Sequence, residues 1–207
     1  MRSPAFWYQP VGLPAIMLTP LAHIYGALEA VRRRTTVSQH ADIPVICVGN
    51  LTAGGAGKTP TVRALAKLLH GAGLAPAVLS RGYGGNNTTT MRVDPTHHRA
   101  IDTGDEPLML AQDLPVYVAR DRRDALNCAI TDGMQLAIKD DGFQNPTLAH
   151  NYNLIVVDAK LGLGNGLLLP AGPLRQPLTA SAPRIDAVLV IGRSSNATRR
   201  IITDRLG

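Results

Sequence analysis

The chain has 207 residues, 45% of them hydrophobic and 17% charged; that is enough apolar material for a sizeable core and excludes a disordered chain. Its two cysteines, Cys47 and Cys128, lack a CxxC spacing, which excludes a disulfide scaffold or cysteine zinc site and fits a reducing compartment. A formal net charge of +6 points to an anionic partner, but two Phe, one Trp and five Tyr leave no base-stacking surface, and the arginines at 32–34 and 199–200 belong to no nucleic-acid-reading module.

In chain order, Val11 to Leu28 carry no Asp, Glu, Lys or Arg, and Arg32-Arg33-Arg34 follow. The run is at the lower limit of a membrane span, and Gly12, Pro14, Pro20, His23 and Gly26 argue against a straight lipid-embedded helix. A secretory signal fits badly because the basic cluster follows the apolar run. Two readings remain. In one, a helix lies in the membrane interface with Phe6, Trp7 and Tyr8 at headgroup depth and the arginines on anionic phosphates. In the other, the helix packs on the protein's own core. Residues 1–40 are therefore read as a membrane-associating segment and 41–207 as the main domain.

From Asp42 onward strands alternate with helices. Ile43–Val48, Ala77–Leu79, Val116–Val118, Met134–Ile138, Leu154–Val157 and Ala187–Ile191 are apolar runs. Helical spacing appears over Lys58–Gly73, Glu106–Leu114 and Asp121–Ile130. This is an α/β pattern: a mainly parallel sheet with helices on both faces. Gly162–Pro183 reads as a long ordered loop. The last strand, Ala187–Ile191, is expected to lack a covering layer. A short basic helix is expected over Thr198–Leu206, and the chain then stops with no capping device, as a fragment would.

The strongest motif runs from Val48 to Thr59. An apolar strand enters a turn of Thr52, Ala53, Gly54, Gly55, Ala56 and Gly57, and Lys58 and Thr59 open a helix. This is the phosphate-loop context, in which backbone N–H groups and a helix N-terminus hold phosphate oxygens. Lys58 would reach the β- and γ-phosphates and Thr59 Oγ1 would ligate Mg²⁺. The strict pattern wants glycine at position 52, where Thr52 stands; the plain alternative is an ordinary glycine-rich turn. A second Mg²⁺-organising carboxylate has two candidates. Asp158 ends a clean apolar run, where a simple turn role is the favoured reading. Asp140-Asp141 end a run interrupted by Lys139; adjacent carboxylates are costly without a cation or a reacting proton nearby. Asp105-Glu106 would serve as a carboxylate base for a hydroxyl acceptor or as first-turn charges of a helix. Arg81, after the second strand, is a phosphate clamp or a surface-turn residue. Arg175, in a proline-braced loop, reads as solvated. His97-His98 lack a third metal ligand.

Together these strings closely resemble the tetraacyldisaccharide 4′-kinase family, the lipid A 4′-kinases of Gram-negative bacteria. The matching pieces are Pro4-Ala-Phe-Trp7, Ile24-Tyr-Gly26, Pro44-Val-Ile46, Val48-Gly-Asn-Leu-Thr52 and Gly54-Gly-Ala-Gly-Lys-Thr-Pro60. Ser80-Arg-Gly-Tyr83, Gly104-Asp-Glu-Pro107, Asp140-Asp-Gly-Phe-Gln144, Gly164-Asn-Gly166 and Leu169-Pro-Ala-Gly-Pro-Leu-Arg175 follow in the family's order. The resemblance implies a phosphate-loop fold that uses ATP and Mg²⁺ to phosphorylate the 4′-hydroxyl of a tetraacylated glucosamine disaccharide 1-phosphate. It also implies work at the cytoplasmic face of the inner membrane. By motif, Lys58, Thr59 and the loop residues 52–57 carry over as nucleotide contacts, with Thr59 and Asp140 on the metal. Asp105 carries over as candidate general base with Glu106 beside it, Asp140 and Asp141 as a Walker B-like pair, with Lys58 and Asp141 also catalytic, and Arg175 as a nucleotide-side residue. The chain departs from the pattern at Asn145, where the family has His, at Gln176, where it has Glu, and at Lys139, which replaces an apolar residue and is expected to pair with Asp140. The family's C-terminal domain, with a histidine that orients the catalytic Asp, is largely absent from these 207 residues. Two other readings are a membrane-associated ATPase or GTPase, against which the lack of an NKxD-like motif counts, and a non-catalytic nucleotide-binding remnant. Nothing in the sequence sets an oligomeric state.

Overall fold

The computed structural model describes residues 3–86, 89–193 and 203–204; the basic helix expected over 198–206 lies almost wholly outside them. The chain divides into two compact units: Ser38–Val48 with Lys58–Tyr152, and Met1–Val37 with Gly49–Gly57 and Asn153–Gly207.

The first unit is built on strands in the order β3 (Met91–Arg92), β4 (Val116–Val118), β2 (Pro76–Ser80), β5 (Leu136–Asp140) and β1 (Val45–Gly49). All pairings are parallel except β3 with β4. Strands β2, β4 and β5 are buried along their whole length, which is why they read in the sequence as continuous apolar runs rather than alternating ones. Helix α5 (Arg122–Thr131) covers one face, where Ala125, Leu126 and Ala129 join Val45, Ala77, Leu79, Tyr117 and Ala137 in the core. Residues of β2 and β5 that alternate with these, Val78 and Ile138, point to the other face. Helix α2 (Lys58–Gly71) packs on the same two strands with Val62 and Ala66 fully buried. The sheet is thus mainly parallel and covered on both sides.

The hairpin-like edge strand β3 is two residues long and carries no periodic signal. Lys139 does not break β5 as its charge suggests. It is fully buried, and its ammonium donates to the Asn145 carbonyl and meets His150 Nε2, both at 3.0 Å. The pairing with Asp140 expected from the sequence is replaced by these two partners. Burial lowers the Lys139 ammonium pKa to about 8.

Helices α3 (Ala100–Thr103) and α4 (Asp105–Ala111) meet at Gly104. Gly104 has φ +90°, and a Cβ there would come within 2.5 Å of the Tyr83 carbonyl oxygen. A Cβ on Gly85 would come within 2.7 Å of Asp102 O and Gly104 N. Two backbones therefore touch directly, and Asn86 N donates to Ile101 O at 2.7 Å. This contact sets where α4 begins, and hence where Asp105 and Glu106 stand.

In the second unit, β6 (Tyr152–Asp158) pairs in parallel with β7 (Ala187–Ile191). Leu189 and Ile191 of β7 are exposed, as expected of a strand without a full cover. Helix α1 runs from Leu13 to Thr35 without interruption through Pro20. Its inward stripe holds Ala15, Ala22 and the half-buried Tyr25 and Arg33. Its outward stripe holds Leu13, Ile16, Met17, Leu21, Ile24, Leu28 and Val31, each more than half exposed. Among the described residues no helix is long and apolar enough to cross a membrane. Phe6, Trp7 and Tyr8 form a 3-10 turn and are half-buried rather than presented outward. Trp7 Nε1 donates to the Pro170 carbonyl and Asn165 N to the Trp7 carbonyl, so the headgroup placement expected for Trp7 is replaced by a tie to the 162–183 loop. Arg33 likewise donates to the Ala180 carbonyl, while Arg32 and Arg34 are exposed. That loop contains one short α-helix, α6 (Leu178–Ser181), followed directly by a 3-10 turn, Ala182–Arg184.

Gly104→Ala combines a left-handed backbone with a backbone clash, so it is expected to cost ~1–3 kcal/mol and to lower the melting temperature by about 2–4 °C per kcal/mol. Thermal unfolding followed by circular dichroism checks it; an unchanged melting temperature would show that the 82–85 and 102–104 segments have room to part.

Candidate functional site

The phosphate-loop sequence is organised by two glycines with positive φ, Gly54 at +121° and Gly57 at +83°. Position 52 needs no glycine, because Thr52 is extended and forms an antiparallel bridge with Leu174. Arg175 N donates to Leu51 O at 2.9 Å and Ala53 N to Pro173 O at 2.7 Å. Thr52 and Ala53 therefore brace the loop's entrance, and Ala53 differs from expectation in that its N–H is already engaged. Asn50 Nδ2 donates to the carbonyls of Thr52 and Gly54 and folds the turn from inside. Gly54 and Gly55 are the exposed tip, and a Cβ on Gly55 would meet nothing within 4 Å. Ala56 is buried, and a Cβ on Gly57 would come within 2.7 Å of Ile191 Cδ1. Arg175 is half-buried beside the brace, not a freely solvated loop residue.

Lys58 and Thr59 open α2 in the other unit. There the register of the parallel pair β1–β5 places Asp140 opposite Val48, and Asp141 N donates to Val48 O at 3.0 Å. Strand β5 therefore ends in its carboxylates beside the strand that feeds the loop. Lys58 Nζ forms an ion pair with Asp141 Oδ1 at 3.6 Å, and Thr59 Oγ1 donates to Glu106 Oε1 at 3.3 Å. Asp140 is only 5% exposed and its Oδ1 is buried without a hydrogen-bond partner. Burial, then the charges of Glu106 and Asp141, push its carboxyl pKa up to about 6, against the pull of Lys58 and Arg122. Asp141 adopts φ +47°. Asp105 is exposed at the start of α4, one residue before Glu106.

The sequence alone does not single out Arg122. Asp121 accepts from Arg123 N as the cap of α5, and that turns Arg122 inward, where it is 5% exposed. Its guanidinium donates to the carbonyls of Asp140 at 3.0 Å and Asp141 at 3.3 Å, and burial, with Arg81 nearby, lowers its pKa. An Asp-Arg-Arg string after a short strand reads as a capped, solvated helix start, and only the strand order reveals its inward turn. Asp158 sits in the other unit, where its Oδ1 accepts from Lys160 N and Leu161 N, the turn reading of that residue. His98 Nδ1 accepts from Asp94 N, and His97 Nδ1 lies 2.7 Å from Asp94 Oδ2. Gln176 Oε1 accepts from Arg184 at 2.7 Å, a neutral contact where the family's Glu would make an ion pair.

Among the described residues no three His, Cys, Asp or Glu side chains converge at metal-binding distance. An orphaned, strongly acidic site with a hydroxyl nearby still fits Mg²⁺, which is commonly held by one or two protein oxygens and completed by phosphate and water.

The family described as Tetraacyldisaccharide-1-P 4'-kinase matches residues 14–205. The chain belongs to the tetraacyldisaccharide 4′-kinase family. Tetraacyldisaccharide 4'-kinases of Bradyrhizobium diazoefficiens and Methylobacterium nodulans are each 54% identical to it, over 93% of this chain and 56% and 57% of theirs. The chain thus spans little more than half the length of the relatives it matches. A crystal structure of LpxK from Aquifex aeolicus in complex with ATP, 30% identical, aligns with a TM-score of 0.76 over 86% of this chain and 59% of that one. The fold is therefore that of the aligned part of that LpxK structure.

The buried Asp140 carboxyl yields a signed pH prediction. Its native pKa lies above its unfolded value, so it favours folding at low pH and loses that contribution as pH rises through about 4 to 6. Asp140→Asn should therefore raise stability at pH 7.5 in cation-free buffer, by at most about 3 kcal/mol, with the gain disappearing near pH 4. Urea unfolding across pH in chelator checks this; a gain independent of pH would assign the effect to packing.

Proposed function

We propose that this chain is the nucleotide-binding part of an ATP-dependent kinase that phosphorylates the 4′-hydroxyl of a tetraacylated glucosamine disaccharide 1-phosphate. The observation that carries this reading is the cluster of Lys58, Thr59, Glu106, Asp140 and Asp141 where β5 ends beside β1. ATP supplies the phosphoryl group, and Mg²⁺ offsets the charge on its phosphates. The N–H groups of residues 54–57 would cradle phosphate oxygens, Thr52 and Ala53 would fix the loop's entrance, and Lys58 would turn from Asp141 to the β- and γ-phosphates. Thr59 Oγ1 and the orphaned Asp140 Oδ1 suit the cation, and Asp141 would neutralise charge beside it. Asp105 stands exposed next to this cluster, free to take the proton of the attacking sugar hydroxyl. A base so placed contributes ~10²–10⁴-fold. Arg175 would approach the nucleotide from the braced segment.

We also infer that α1 lies on an anionic bilayer at the cytoplasmic face of the inner membrane, where a lipid acceptor is met. Its outward apolar stripe and the exposed Arg32 and Arg34 support an interfacial helix, and its length and hydropathy do not support a span.

Transfer of phosphate from ATP to detergent-dispersed tetraacyldisaccharide 1-phosphate tests the first reading. Asp105→Ala should lower the rate ~10²-fold or more while leaving nucleotide binding within about threefold, and Lys58→Ala should weaken both. Nucleotide binding with no transfer to any acceptor would favour a binding remnant. For the second reading, Leu21→Asp with Ile24→Asp should reduce partition into anionic vesicles at least ~10-fold, since each buried apolar side chain contributes roughly 1.5–3 kcal/mol. Flotation unaffected by these changes would overturn it.

A further inference from the structure

The inward face of α1 is engaged along its length by the segment that braces the phosphate loop. A Cβ on Gly26 would lie 2.7 Å from Leu168 Cδ1, and Arg33 donates to the Ala180 carbonyl. Between them, the Tyr25 hydroxyl donates to the main-chain carbonyl of Arg175 at 3.1 Å. The same residue's N–H donates to Leu51 O, and Ala53 N closes the next rung on Pro173 O. On its other edge, Leu174 N donates to Leu167 O and Leu174 O accepts from Leu169 N, at 3.0 and 2.9 Å. Residues 173–175 are thus the middle strip of a small ladder whose outer strip, 51–53, is the entrance of the phosphate loop. Tyr25 holds the last carbonyl of that middle strip. Burial, then Glu29, raises the phenol pKa, so it remains a donor at any physiological pH.

We propose that Tyr25 is a positioning residue for the phosphate loop: through the Arg175 main chain it fixes the register of 173–175 against 51–53, and with it the placement of the Gly54–Gly57 turn and of the Arg175 side chain. Register in so short a ladder is otherwise set by the two hydrogen bonds that make up the Thr52–Leu174 bridge, and a slip of one residue would reverse which side chains face the loop. The aromatic ring alone would fill the same space, so the hydroxyl is the part that does the positioning. The proposal rests on reading the loop as a nucleotide site, and it couples the helix read as lipid-facing to that site through one hydrogen bond.

The test uses the full chain and Tyr25→Phe, which removes only the hydroxyl. Titration with a fluorescent ATP analogue and Mg²⁺ should show affinity weakened about fivefold, the loss of one hydrogen bond. Vesicle flotation should match the parent, and the melting temperature should fall by no more than about 2–4 °C, the cost of one hydrogen bond. Hydrogen exchange should rise in peptides covering 51–53 and 173–175 and stay unchanged across β2 and β5. Parent-like affinity together with parent-like exchange at 51–53 would overturn the proposal, as would a uniform rise in exchange across the chain, which marks general destabilisation. Should the parent itself bind no nucleotide, the reading of the loop fails, and the exchange comparison still decides whether Tyr25 positions it.

Discussion

The parallel pairing of β1 with β5 is the constraint from which the acidic cluster follows. Because Val48 stands opposite Asp140, the strand leading to the phosphate loop and the strand ending in two carboxylates finish at the same level. The hydrogen bond from Asp141 N to Val48 O then ties the turn after β5 back to β1. Arg122 closes the arrangement from behind by donating to the carbonyls of both aspartates. A guanidinium placed on main-chain oxygens fixes the backbone and leaves the Asp140 Oδ1 without a hydrogen-bond partner. That explains how Asp140 remains buried with an orphaned oxygen and a pKa near 6. A buried, unsatisfied carboxylate is unfavourable in an isolated protein; its retention here is consistent with a site that a cation completes.

The two units contribute unlike chemistry. In the unit holding residues 49–57, the work around the loop is done by the backbone: carbonyls and N–H groups of 51–53, 167–169 and 173–175 satisfy one another, and side chains such as Asn50 and Tyr25 act on main-chain atoms. In the unit holding residues 58–152, the functional groups are side chains delivered by strand and helix ends: Lys58 and Thr59 at the start of α2, Asp105 and Glu106 at the start of α4, Arg122 at the start of α5, and the aspartates at the end of β5. Strand C-termini and helix N-termini on one edge of a parallel sheet are where such folds collect ligand-binding groups.

Much of this was legible in the sequence, for identifiable reasons. Strands buried on both faces appear as apolar runs, so β2 and β4 were found close to their observed positions; β6 and β7, less buried, were found from their apolar composition, and α2 and α5 followed from helical spacing. The two-residue β3 was not legible, since its existence depends on pairing with β4 alone. Lys139 disguised β5, because only the fold shows that the Asn145 carbonyl and His150 receive its ammonium. The loop motif was legible as a string, but its bracing was not: whether Thr52 is a turn residue or an extended one depends on Leu174, more than a hundred positions away. Trp7 was misplaced for the same reason, its partner Pro170 being equally remote. Arg122 carried no local signal and Tyr25 only its place in the Ile24-Tyr-Gly26 string, because each acts on the main chain of a distant segment.

Two of the departures from the family pattern, Lys139 and Asn145, share a physical consequence. Lys139 introduces a buried charge, and its ammonium bonds to the carbonyl of Asn145, the position where the family carries His. The side chain of Asn145 is itself used locally, accepting from Thr147 N and Oγ1. The stem of Lys139 also lies against Gly142, where a Cβ would come within 2.5 Å of it. Lysine, glycine and asparagine thus form one packed unit behind the aspartates. A substitution that restores the family's residue at only one of these positions meets the other two: His at 145 leaves the ammonium's carbonyl partner in place but loses the Thr147 cap, and an apolar residue at 139 frees that carbonyl. Because these residues touch one another, their effects on stability should not add, and the turn carrying Asp141 is better understood as a set of mutually adjusted residues than as two separate lapses from a pattern.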